Sequence, residues 1–85
     1  MSHRLISEME RNLGWWWEDL RSVSARLRRY QRQLIECRQL SPRPRATIEL
    51  TLRQCAAARK LRAHTTTVIT GLRRDLNELS SNHLQ

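Results

Sequence analysis

Eighty-five residues carrying a net charge of +8, with 39% hydrophobic and 28% charged residues, make one small domain, too short to enclose a deep core by itself. Two cysteines without motif spacing exclude a disulfide scaffold and a cysteine-based metal framework, and no apolar run reaches the ~20 residues of a membrane span. Fifteen of the sixteen basic residues are arginine, which pairs bidentately with carboxylates and phosphates and stacks on aromatic faces.

The first predicted element is a long helix over about 3–40. Ile6, Met9, Leu13, Trp16, Leu20, Val23, Leu27, Tyr30, Leu34 and Cys37 are separated alternately by three and four residues, a heptad seam without a break. At 1.5 Å per residue such a helix is roughly 57 Å long. Arg4, Glu8, Glu10 and Arg11 interrupt its start, so no apolar leader is expected there, and a soluble, reducing compartment, the cytoplasm, is the expected location.

Within this helix stands Leu13-Gly14-Trp15-Trp16-Trp17-Glu18-Asp19-Leu20. It holds all three tryptophans of a chain that has one tyrosine and no phenylalanine. Successive helical residues point about 100° apart, so the three indoles sweep about 200° of the surface. Trp16 falls on the seam and is expected in the core. Trp15 and Trp17 fall on opposite flanks, and one neighbouring helix cannot cover both. A protein interface is the expected use, because aromatic side chains bury large areas at low rotamer cost. Glu18 and Asp19 argue against docking on anionic lipid or stacking on bases.

Residues 41–46 form the predicted turn. Pro42 and Pro44 each remove a backbone donor and restrict the residue before them, which ends the first helix. Pro44 suits the first turn of the next helix, and Thr47 is the alternative cap. A second helix is predicted over about 47–79, with 80–85 as a frayed tail. Its stripe is looser: Ile48, Leu52, Cys55, Ala58, Leu61, Thr65, Val68, Leu72, Leu76 and Leu79, broadened by Ile69. The run Thr65-Thr66-Thr67-Val68-Ile69-Thr70 is β-branched, yet the stripe passes through it, so a helix weakened by local propensity is expected.

Two helices of similar length joined by a short turn make an all-α, coiled-coil-like antiparallel hairpin. Facing residue numbers then sum to about 86, which brings Leu13 to Leu72, Met9 to Leu76, Ile6 to Leu79 and Trp16 to Ile69. Gly14 falls beside Gly71, the mark of a close helix approach or of a shared weak point, or a coincidence of chance. Cys55 falls nearer Tyr30 than Cys37, so no intramolecular disulfide is expected. Each seam is covered on one side only, and ordering costs ~1–2 kcal/mol per residue, so dimerisation or packing with a partner into a helical bundle is expected.

Charge is polarised along this rod. Residues 21–62 carry a net +10, residues 1–20 a net −2, and residues 63–85 none. The turn half is therefore basic, and Arg26, Arg28, Arg29, Arg32, Arg43, Arg45, Arg59, Lys60 and Arg62 are its candidate anion or nucleic-acid contacts. No recognition-helix, zinc-finger or aromatic-sheet signature accompanies them.

Catalytic chemistry is not expected. No nucleophile with a base and an orienting group can be nominated, no Gly-rich phosphate loop is present, and Glu8/Glu10 and Glu18/Asp19 diverge around the helix. His3 and His83 approach each other only at the open end, without metal-site character, and His64 is expected in solvent. No cofactor or small-molecule substrate is expected. The expected function is a non-enzymatic protein–protein interaction module, an adaptor, assembly factor or co-chaperone. Its interface comprises Trp15, Trp16, Trp17, Leu13, Leu20, Leu72 and Leu76, and its partner is another protein or a second copy. Two alternatives are a nucleic-acid-associated protein using the basic half and an oligomeric anion-processing enzyme using Arg28, Arg32 and Arg59. The length, the mid-chain turn and a second helix opening Thr47-Ile48-Glu49-Leu50-Thr51-Leu52-Arg53-Gln54-Cys55 resemble, in layout, the small helical co-chaperones of type III secretion needle subunits. That resemblance implies pairing with a second chaperone around an aggregation-prone helical subunit. This chain departs from the pattern in being far richer in arginine.

Overall fold

The computed structural model describes the backbone of residues 2–84 and the side chains of residues 3–81. Two helices, α1 (Ser2–Gln39) and α2 (Arg45–Leu84), pack antiparallel into a rod of 66 × 14 × 14 Å, the all-α hairpin expected from the heptad pattern. The second helix continues past Leu79, where the sequence suggested that order would end.

The connection is short. Leu40 N–H donates to the Cys37 carbonyl at 3.2 Å, closing the last turn of α1, and the Ser41–Pro42 peptide is cis. Pro44 lies just outside α2, and its carbonyl accepts the first helical bond, from Ile48 N–H at 3.0 Å. Pro44 thus holds the capping position and needs no N–H there. Thr47 is already inside the helix, where its carbonyl accepts the Thr51 hydroxyl at 2.8 Å, so it is not the cap.

All ten seam residues of α1 are at least half-buried, and Val23, Leu27, Leu34 and Cys37 are fully so. The seam of α2 differs in phase from the predicted stripe. Its inward positions are Ile48, Thr51, Cys55, Ala58, Thr65, Ile69, Leu72, Leu76 and Leu79, while Leu52 and Leu61 are 46% and 44% exposed. Thr51 and Leu52 lie four and three residues before Cys55, and a stripe of 3.5 periodicity admits either. The unbroken alternation on α1 selects Thr51, because matched seams need matched phase. Arg62 holds the remaining seam position and stays exposed, its stem long enough to carry the guanidinium to water.

Taken in order, the two seams align where residue numbers sum to 85, within one of the expected register. The core cluster follows it: Val23, Leu27 and Leu34 from α1 with Cys55 and Ala58 from α2, flanked by Tyr30 and Ile48. This cluster lies in the turn half. In the open half the α1 seam from Ile6 to Leu20 is only half-buried. Both cysteines are buried and free, as the register requires. Gly14 and Gly71 do not mark a close approach, since a Cβ added to either meets nothing within 4 Å.

The β-branched run remains helical with Thr65 and Ile69 buried on the inner face and its exposed hydroxyls turned back on their own helix. Thr66, Thr67 and Thr70 donate to the carbonyls four residues back, of Arg62, Ala63 and Thr66, at 2.9, 3.0 and 2.9 Å.

Candidate functional site

The tryptophans divide as their spacing on the helix dictates. Trp16 is half-buried at the seam, and its ring meets His64 edge-on, with centroids 6.2 Å apart and planes at 74°. That distance lies within the range in which edge-to-face aromatic pairs are favourable. Trp15 is 59% exposed on one flank and Trp17 38% exposed on the other. The remaining expected interface residues serve the hairpin itself: Leu13, Leu20 and Leu72 are half-buried in the seam and Leu76 is buried there. Trp15 and Trp17 are therefore the members of that set with free surface.

One side of the hairpin carries two adjoining shallow grooves that share Arg26 and Leu61. One runs past Trp16, Asp19 and Thr65, and the other past Tyr30, Gln54 and Ala57. Trp15 borders this side, one residue around the helix from Trp16. The groove side was missed in the sequence. Its signal was present as a second spacing in α2, from Leu50 through Ala57 and Leu61 to Val68, but this stripe became visible only once the phase of the first seam was known.

The basic half presents its charge to solvent without exception. Arg26, Arg28, Arg29, Arg32, Arg43, Arg45, Arg59, Lys60 and Arg62 are all exposed. The arginine ion pairs among the described residues, Arg4–Glu8 at 3.7 Å and Arg74–Asp75 at 3.8 Å, both lie outside this segment. Both are exposed and contribute little. Among the described residues no three His, Cys, Asp or Glu side chains converge on a metal position. The pairing of His3 with His83 considered at the open end falls outside the described side chains. No helix of the described residues is long and apolar enough to cross a membrane.

No protein-family model, no curated protein and no solved structure matches this chain, so any functional reading rests on the hairpin's own surface.

Proposed function

We propose that the protein is a non-enzymatic protein–protein interaction module, a cytoplasmic adaptor, assembly factor or co-chaperone that packs the Trp/Leu side of its hairpin on partner helices. The observation that carries this reading is Trp15, a large aromatic side chain left 59% exposed by the two helices of the described residues. The whole surface supports the same reading. The chain exposes 6862 Å², whereas a compact monomer of its mass exposes ~5,300 Å². Aromatic residues seated centrally in an interface are its usual energetic anchors. The layout resemblance to type III secretion co-chaperones describes one form that such a module takes.

Co-purification from the native host after nuclease treatment, read by mass spectrometry, tests the proposal. A protein partner retained by the wild type should be lost with Trp15→Ala and kept with Arg28→Glu. A second reading, phosphate binding by the basic half, is favoured by nine exposed bases that are left without ion pairs. It requires the opposite pattern, with binding lost on Arg28→Glu and falling steeply as salt rises.

A further inference from the structure

α2 carries two seams. The first faces α1. The second, Leu50, Gln54, Ala57, Leu61, His64, Val68 and Gly71, repeats the same alternation of four and three residues and contains no Asp, Glu, Lys or Arg. It lies about 110° around the helix from the first, close to the angle between the two contact faces of a helix in a square four-helix bundle. The hairpin leaves this seam open: Leu50 and Leu61 are 55% and 44% exposed, and Gln54, Ala57 and Leu61 line the groove side. No other element of the described residues lies against it.

We infer that the occupant of this seam is a second copy of the chain, packed antiparallel on the groove side to form a four-helix bundle. This rests on the reading of that side as a protein-binding face and names what binds there. Three observations bear on a second copy, of which area permits it and shape and charge select it. The first is area. The excess surface of roughly 1,500 Å² per chain over a compact monomer accommodates an interface of ordinary size, ~800 Å² per partner. The second is shape. The seam is centred near Leu61, so a two-fold axis at that level lays the seam upon itself. Leu61 then meets its own copy, and Ala57 lies level with His64 of the second copy. Leu50 lies level with Gly71 of the second copy, where a Cβ would meet only open space. Leu50 and His64 thus face small residues on either side of the central Leu61 pair, and each contact recurs reciprocally, as an isologous interface requires.

The third is charge, which also fixes the direction. A parallel pair would set two segments of net +10 side by side. The antiparallel pair separates them to opposite ends. With the axis near Leu61, and hence near Ser24 on α1, Asp19 comes level with Arg29 of the second copy and within about a turn of its Arg26 and Arg32. On the groove side Asp19 thereby faces unpaired arginines of the second copy's turn half, twice over by symmetry. Trp15 is enclosed at this interface, and Trp17, on the far flank, remains in solvent.

Sedimentation equilibrium of the full chain at micromolar concentration tests the inference, with charge reversal deciding its geometry. The wild type should sediment as a dimer whose melting temperature rises with concentration. Asp19→Arg alone should raise the dimer dissociation constant about tenfold, because each change is felt at two symmetric contacts. Combining Asp19→Arg with Arg26→Asp and Arg29→Asp should restore it to within about threefold of wild type. Leu61→Glu, at the axis, should yield a species sedimenting as one copy. Should Leu61→Glu unfold, the reversal pair still decides. A monomeric wild type overturns the inference, and so does a dimer indifferent to Asp19→Arg or not rescued by the combined reversal. A monomer that still loses a captured partner with Trp15→Ala would leave the interaction-module reading standing. A rescued dimer that captures no partner would support the inference and remove the adaptor role.

Discussion

Thr51 is fully buried, while the next residue, Leu52, is 46% exposed. Hydropathy alone puts these the other way round. The inversion is tolerated because the Thr51 hydroxyl is satisfied within its own helix, on the Thr47 carbonyl, so its burial strands no polar group. The same locality explains why a leucine's hydrophobic value says little about its contribution here. Leu27, 2% exposed at the centre of the core cluster, should lose ~2–4 kcal/mol of unfolding free energy when changed to alanine. Leu52→Ala should change it by less than ~0.5 kcal/mol. Urea denaturation of the two variants measures both. Equal effects would mean that the α2 seam runs through Leu52 after all. The tryptophans were legible at this scale because three consecutive helical residues cannot share one face, whatever the fold around them.

At the scale of the element, α1 could be read from its sequence and α2 only in part. Every seam position of α1 from Ile6 to Cys37 is apolar or aromatic, so its phase has one solution. α2 places Thr51, Arg62 and Thr65 on its inner face and leucines at 50, 52 and 61 on its outer ones. Periodicity therefore identified the helix without its rotation. The groove side was illegible for the same reason, since it is defined by both helices once that rotation is known. The threonine run gives a further expectation for α2. Thr66, Thr67 and Thr70 are exposed, and alanine exceeds threonine in helix propensity by ~0.5 kcal/mol or more at each position. The triple Thr→Ala variant should therefore gain ~1–2 kcal/mol and show increased helical circular dichroism. A loss of stability would mean that these hydroxyls do more than return to their own backbone.

For the whole molecule, the hairpin topology followed from two prolines between two periodic segments, and the separation of charge from a count along the chain. The proposed contact between hairpins was not readable, because it depends on a seam of α2 that the described residues leave open.

The placement of the core sets an order of events. The core cluster lies in the turn half, where contacting residues are closest in sequence, whereas the α1 seam is only half-buried toward the open end, where Ile6 and Leu79 must close a loop of more than seventy residues. Loop closure is entropically cheapest where burial is most rewarding, so the chain should assemble as a zip, from the bend outward. Stopped-flow measurements should show Leu34→Ala slowing the folding limb, and Leu76→Ala chiefly speeding the unfolding limb. The end that carries the indoles is thus the last to form and the first to part.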